Sequence, residues 1–412
     1  MNRRQIVAIV GTLLALLVLV GGTLIALFAP ASPFYVGSTT GGTPGTGRTG
    51  SGVTATPAVG ATSTADKGCG ITKTADGYTF SPLHVANAAL MSNTNCIVDL
   101  KGFNWSQLEF GNAVGGGVKT RINAQAIAWY NQTFHMNVWR IPVNSYWWNT
   151  NVDVPLAHMS YQSWIEQIVQ WAKQNGDYVI LTKGPQFHAP PCGGGVTLCP
   201  AQNYGLTTGD PTQMASGADI ADAVTMWTSI AGLYKNDPAV LYDSWNEMHG
   251  LNAQMWQQQE NTLINTIRGQ NANAPIFLGG PNDKGNVNAL VENQVPDFTQ
   301  SNLIYDFHVY DGFNGEYMGK RCQAPNSYLW KNWPTNADQQ VQFSQQHGKA
   351  VAISEWGGCN DLSQYNQDIT SYARQHNISM VYYDETGVAT LIDGTYQITS
   401  NGQEVQAAYA TF

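Results

Sequence analysis

The sequence predicts a (β/α)8 TIM barrel, and three observations carry that expectation. Eight short runs of strand character recur between Ile97 and Tyr383, and many are followed by a stretch of helical period. The folded part spans about 340 residues, the size of such a barrel with insertions. Polar and ionisable residues stand repeatedly at the C-terminal ends of the runs, which a barrel gathers at one mouth. An open doubly wound sheet would also alternate strand and helix, but it would not draw those ends together.

In chain order the strand runs are Ile97–Phe103, Met136–Pro142, Tyr178–Leu181, Val240–Trp245, Ile276–Gly279, Leu303–His308, Ala350–Ser354 and Met380–Tyr383. Helical stretches fall at Asn123–Thr133, Tyr161–Asn175, Ile220–Lys235, Gln254–Gly269, Asp338–Gln346 and Ser363–Gln375. Trp164, Ile165, Ile168, Val169 and Trp171 illustrate the period, making one apolar helix face. After Thr390 the tail reads as a small hairpin or cap over Leu391–Ile398, with Asp393 and Gly394 at its turn.

Composition narrows the partner class. Charged residues make up 11% of the 412-residue chain, well below the roughly 25% of an average soluble protein. Aromatics also reach 11%, with 13 Trp and 19 Tyr. Such a surface suits neutral, ring-shaped ligands. With a net charge of −9 and no basic stripe, nucleic acid is not an expected partner.

Gln5–Phe28 is an apolar run behind Arg3 and Arg4, longer than the roughly 18 residues that span a bilayer. Residues 1–31 are therefore expected to form a cytoplasmic tip and signal-anchor transmembrane helix, with the remainder outside. Ala29-Pro30-Ala31 leaves cleavage and secretion as the alternative. Residues 32–68, rich in Gly, Thr, Ser and Pro, cannot bury a core and read as a flexible linker. The folded domain then covers 69–412, expected as a monomer that touches the membrane through the N-terminal helix alone.

All six cysteines lie in that domain. An even count in an exported domain suggests disulfides, and six allow fifteen connectivities. The pairing expected is Cys69–Cys96, Cys192–Cys199 and Cys322–Cys359. No close Cys-x-x-Cys or His-x-x-x-His pattern marks a metal site, so no metal is expected.

Chemistry centres on Glu247 and Glu355, each standing where an apolar strand run stops. A carboxylate there is costly to desolvate unless it has partners or a task. Two of them suggest the paired acids of acetal hydrolysis, one protonating the leaving oxygen while the other acts on the opposite ring face. That chemistry needs no cofactor.

The segments Asn137–Val143 (NVWRIPV), Ser244–Glu247 (SWNE), His308–Tyr310 (HVY) and Ile353–Gly357 (ISEWG) resemble glycoside hydrolase family 5, the cellulase and mannanase group of retaining (β/α)8 glycosidases. Their order and spacing match, and the resemblance covers roughly Ile97 to Tyr383. It implies Glu247 as general acid/base and Glu355 as nucleophile. Asn246 would bond the sugar 2-hydroxyl, Arg140 and Tyr310 would hold Glu355 as an oriented carboxylate, and His308 would line the same pocket.

Two positions depart from the family pattern. The third strand run ends in Thr182-Lys183-Gly184-Pro185 where the family carries a His, so His188 is expected to reach in from the loop. The eighth ends in Tyr382-Tyr383 without the family's Trp, so Tyr383 is expected to serve as a smaller platform. Trp147, Trp148 and Trp356, close behind strand runs, are expected to offer indole faces to pyranose rings.

The function expected is hydrolysis of a β-linked polysaccharide or oligosaccharide by double displacement, endo-β-1,4-glucanase first and β-mannanase second. A carbohydrate-binding barrel without activity is the alternative from another class.

Overall fold

The computed structural model describes residues 69–105, 108, 122–154, 157–184, 217–248, 251–281, 284, 289–310, 328–357, 363–383 and 397–412. The expected transmembrane helix, the linker, His188 and Cys192, Cys199, Cys322 and Cys359 lie outside these residues. Among the described residues no helix is long and apolar enough to cross a membrane.

Two antiparallel hairpins open the described chain: β1 (Ile71–Thr74) with β2 (Gly77–Phe80), and β3 (His84–Ala86) with β4 (Ala89–Met91). The disulfide Cys69–Cys96 ties this region together as the sequence predicts. The first barrel strand, β5 (Lys101–Asn104), begins four residues later than expected. Ile97 and Val98 bond back to Met91 and Leu90 of the second hairpin before the chain enters the barrel.

From β5 onward, strand and helix alternate. The order is α1 (Ala124–Phe134), β6 (Val138–Val143), α2 (Ser145–Thr150), a small hairpin β7 (Asp153–Val154) and β8 (Met159–Ser160), α3 (Tyr161–Gln174), β9 (Tyr178–Lys183) and α4 (Gly217–Leu233). Then follow β10 (Val240–Asp243), α5 (Ala253–Gln270), β11 (Ile276–Leu278), α6 (Ala289–Glu292), β12 (Leu303–Tyr310), α7 (Tyr328–Gln346), β13 (Ala350–Gly357), α8 (Ser363–Gln375), β14 (Ser379–Tyr382) and α9 (Ser400–Thr411). Asn123, Asn144, Ser160, Asn252 and Thr399 start α1, α2, α3, α5 and α9, each accepting a bond from a first-turn N–H.

Eight strands close a parallel barrel in the order β5-β6-β9-β10-β11-β12-β13-β14 and back to β5. All eight predicted runs are in it. Gly102 serves the closure, because a Cβ there would stand 1.7 Å from the Val138 carbonyl oxygen on the neighbouring strand.

Period-two alternation divides the strand residues between two cores. Trp139, Ile141, Val179, Leu181, Tyr242, Tyr305 and Ile353 face the helices in the larger one. Val138, Tyr178, Ile180, Leu241, Phe277 and Ile304 fill the lower barrel interior. There they meet Ile71, Leu83 and Leu90 of the hairpins, which plug the end opposite the strand C-termini. Phe80 packs edge-on against Tyr178, whose hydroxyl lies within bonding distance of the Gly70 and Ser81 carbonyls.

Helix α9 was not foreseen. It closes the β14–β5 seam, with the Tyr409 hydroxyl donating to the Gly102 carbonyl at 2.6 Å. The tail segment 391–396 lies outside the described residues.

Candidate active site

Above the apolar plug the barrel interior turns polar, because alternation continues while residue type changes. Arg140 on β6, Thr182 on β9, Asp243 on β10, Asp306 on β12, Ser354 on β13 and Asn104 on β5 are all buried in this layer. Arg140 is its hub. Nε and Nη2 donate to Asp243 Oδ2 at 3.0 and 2.7 Å, and Nη2 also reaches Asn246 Oδ1 at 2.7 Å. Nη1 donates to Asn104 Oδ1 at 2.8 Å and Glu355 Oε1 at 2.6 Å. Every donor of the guanidinium fork is therefore used. Burial disfavours the Arg140 charge, but Asp243, Glu355 and Asp306 outweigh it and raise the pKa further above its ordinary value.

A second buried cation, Lys284, bridges Asp243 Oδ1 and Asp306 Oδ2, each at 2.7 Å. Burial lowers its pKa, and the two aspartates more than restore it. For Asp306, burial acts upward, while Lys284, His308 and Arg140 bring the net shift below the usual carboxylate value. The floor of the site is thus a fixed lattice of opposite charges, which unpaired in this interior would be very costly.

On that floor stand the two glutamates. A register shift separates the Phe307↔Ile353 pair from His308↔Glu355. It places two consecutive residues, Ser354 and Glu355, toward the interior, a bulge re-aiming a side chain. Glu355 receives Arg140 on Oε1 and the Tyr310 hydroxyl on Oε2, the latter at 2.5 Å. Burial, then Glu355, Tyr383 and Glu247, push the Tyr310 pKa well above 10, so it is a neutral donor.

Glu247 follows β10, with its side chain 30% exposed. His308 Nδ1 lies 2.7 Å from Glu247 Oε1 and 3.4 Å from Glu355 Oε2. Burial pulls the His308 pKa down to about 4, Lys284 and Arg140 add to that, and Glu355 and Asp306 oppose it. The ring is neutral at ordinary pH.

Ligand atoms of Glu247, His308 and Glu355 all lie within 4.8 Å of one another. Three such residues could frame a cation. The guanidinium already on Glu355 makes a second positive charge there unfavourable. What the arrangement does offer is one carboxylate fixed by a cation and a phenol, facing a second carboxyl set against a neutral imidazole.

The structure thus brings together Arg140, Asn246, Glu247, His308, Tyr310 and Glu355. Tyr383 joins them at the rim, edge-on to Tyr310 with ring centroids 6.0 Å apart. Three expectations need correction. Trp147 and Trp148 sit on α2 and offer no face to a sugar, being 2% and 1% exposed in the larger core. Trp147 packs on Tyr161, and Trp148 Nε1 donates to Ser229. Trp356 turns outward after the bulge and packs between Tyr382 and Tyr409. None of these indoles faces the site.

The third-strand departure also has a structural form. Thr182 faces Arg140, while Lys183 points away and lies 3.6 Å above the Trp245 ring. Burial lowers the Lys183 pKa to about 7 despite Asp219 and Asp222.

Residue-by-residue reading missed Asn104, Asp243, Lys284, Asp306 and Ser354. Four carry a signal, being polar residues on the inward alternation of buried strands or at their ends. Lys284 carries none.

Residues 92–387 match the family model for cellulase, glycosyl hydrolase family 5. The chain belongs to glycoside hydrolase family 5. Endoglucanase N of Pectobacterium atrosepticum is 23% identical over 284 residues, 68% of this chain and 50% of the relative. Endo-beta-1,4-glucanase B of Aspergillus niger is 27% identical over 176 residues, 41% of this chain and 50% of the relative. The chain therefore spans about half the length of these curated relatives. Among solved structures, a beta-glucanase of Saccharophagus degradans superposes with a TM-score of 0.59 at 17% identity, covering 81% of this chain and 94% of that one. Endoglucanase Cel5A of Thermotoga maritima gives 0.57 at 15% identity, covering 75% and 96%. At such identities these two show the shared fold.

Proposed function

We propose that this family 5 enzyme is a retaining hydrolase that cleaves a β-linked polysaccharide, with endo-β-1,4-glucanase-like action, by double displacement. The observation that carries this is the closeness of Glu247 and Glu355, whose carboxyl oxygens approach within 4.8 Å. Retaining glycosidases hold their carboxyl groups about 5–5.5 Å apart, and inverting ones roughly 6.5–9.5 Å. That approach supports the shorter, retaining separation.

In the first half-reaction Glu355 attacks C1 as the C1–O bond breaks, and Glu247 passes its proton to the leaving oxygen. In the second, Glu247 takes a proton from water, which attacks C1 and releases Glu355. Arg140 and Tyr310 hold Glu355 in line and stabilise its charge when it departs. With Oδ1 accepting from Arg140, Asn246 keeps its amide donor for the sugar 2-hydroxyl. Tyr383 serves as a small aromatic platform at the rim.

The glucan preference is supported by the relatives named endoglucanase and by the Saccharophagus β-glucanase, solved in complex with cellotetraose. Mannan is the second reading, because the Thermotoga Cel5A structure has been solved with mannotriose. The Cys69–Cys96 disulfide supports an extracellular setting, with the chain anchored by residues 5–28 or released by cleavage.

Reducing-sugar release from soluble β-glucan and from mannan tests the reading, with Glu355→Gln as control. Release by the native protein alone is expected, faster on glucan. Release from neither polymer would leave a carbohydrate-binding barrel. Glu247→Ala should slow polysaccharide cleavage far more than cleavage of an aryl glycoside whose leaving group needs no proton.

A further inference from the structure

The polar layer of the barrel interior takes an inward side chain from six of the eight strands, and β11 supplies none. Phe277 faces the lower interior and Leu278 the helices, so alternation turns Gly279 inward. Continuing the β11–β12 register sets Gly279 beside Asp306. Lys284, further along the chain, fills the place that Gly279 leaves. We propose that Lys284 is a positioning residue for the nucleophile: lent to the floor from beyond the end of β11, it holds Asp243 so that Arg140 presents Nη1 to Glu355. This rests on the reading of Glu355 as the nucleophile.

Gly279 records the route of the side chain. A Cβ there would overlap Lys284 Cγ and stand 2.9 Å from Cε and 3.0 Å from Cδ, so the lysine stem lies flat along the glycine. The Lys284 carbonyl accepts the His308 N–H at 2.7 Å, which seats its backbone on β12. The side chain is 1% exposed, too buried to touch a sugar. Its ammonium donates to Asp243 Oδ1 and Asp306 Oδ2, each at 2.7 Å.

Occupying Oδ1 constrains the next pair. Arg140 Nε and Nη2 both converge on Asp243 Oδ2, at 3.0 and 2.7 Å. A free aspartate would turn to meet the guanidinium with both oxygens, the stronger fork-to-fork arrangement. Lys284 on Oδ1 blocks that turn. The guanidinium then keeps Nη1 on Glu355 Oε1 at 2.6 Å and Nη2 on Asn246 Oδ1 at 2.7 Å. Charge gives the same direction. Asp243, Asp306 and Glu355 crowd three carboxylates around Arg140, and Lys284 brings a second cation to them. Burial and Arg140 oppose its charge, and Asp243 and Asp306 secure it. Glu260 on α5 and His308 on β12 feel that charge as well.

Steady-state kinetics of the full-length protein on an activated aryl glycoside test the role, since that leaving group needs no proton and attack by Glu355 is isolated. Lys284→Met keeps the stem and removes the charge. It should lower kcat about 100-fold, as a slightly misplaced reacting group does, with KM little changed. The acid limb of kcat/KM should move up by about one pH unit, because three carboxylates then share one guanidinium. Gly279→Ala leaves the lysine in the chain but takes its path, and should reproduce both effects. Since both changes act through one displaced ammonium, the double variant should be no slower than the slower single one.

A lysine that only supports the fold would lower the urea midpoint while kcat per folded molecule and the acid limb stay native, which overturns the proposal. Losses that multiply in the double variant overturn it too, because the two positions would then act separately. If Lys284→Met does not fold, Gly279→Ala decides alone, and a native kcat with an unmoved limb rejects the role. Glu355→Gln is the control for the underlying reading. Activity surviving in that variant would remove the nucleophile itself, whereas an inactive Glu355→Gln beside a fully active Lys284→Met would remove only its support.

Discussion

The Tyr310 hydroxyl and the Arg140 guanidinium grip opposite oxygens of Glu355, at 2.5 and 2.6 Å, and they contribute differently. Arg140 also holds Asp243, Asn104 and Asn246, so its removal would leave several buried groups without a partner. Arg140→Lys should therefore cost stability, about 3 kcal/mol for a broken buried network, together with activity. Tyr310→Phe removes one donor at the rim and should cut kcat/KM about 100-fold while the unfolding midpoint barely moves. Urea denaturation and steady-state kinetics on the two variants separate these effects. Trp148 is the contrasting case. Its indole is buried against Ser229, so Trp148→Phe should lower stability by about 1–3 kcal/mol and leave KM unchanged.

At the scale of elements, α5 carries an anomaly in Glu260, 1% exposed, with Oε2 lacking a hydrogen-bond partner among the described residues. Burial raises its pKa to about 8, Asp243 adds to that, and Ser244 and Lys284 oppose it. The folded state thus binds a proton that the unfolded chain releases near its ordinary value of 4.5. This contribution to stability is complete below pH 4.5 and is lost as pH rises to about 8. Glu260→Gln should flatten the fall in stability over that window and gain about 1 kcal/mol or more at pH 8, read from urea midpoints at several pH values. The strands carry a different lesson. Alternation in Tyr178–Lys183 and Val240–Asp243 predicts which residues face inward, and Thr182 and Asp243 follow it. In Ala350–Gly357 it fails after Ser354, because the bulge turns Glu355 inward beside Ser354 and sends Trp356 outward. Nothing local in Ile-Ser-Glu-Trp announces that shift, since it is set by pairing with β12.

For the whole molecule, the two ends of the barrel divide the work. The hairpins and the Cys69–Cys96 bond seal the lower end, and the reacting groups stand at the upper one. The disulfide closes a loop with a sequence separation of 27. Cys69→Ser with Cys96→Ser should cost about 3 kcal/mol by chain entropy and leave kcat/KM unchanged, which urea unfolding and aryl-glycoside kinetics would show. A matching loss of activity would mean that the plug also shapes the mouth.

By itself the sequence determined the barrel, the order of its eight strands, both glutamates and the four segments that identify the family. These depend on residue type, period and spacing along the chain. Tertiary structure decided what depends on neighbours far apart in sequence. Examples are the Lys284 bridge between Asp243 and Asp306, the bulge beneath Glu355, and the burial of Trp147, Trp148 and Trp356. The physical reason is that hydrophobic period marks a buried face, while only three-dimensional proximity determines which charge or hydrogen-bond partner meets each polar group on it.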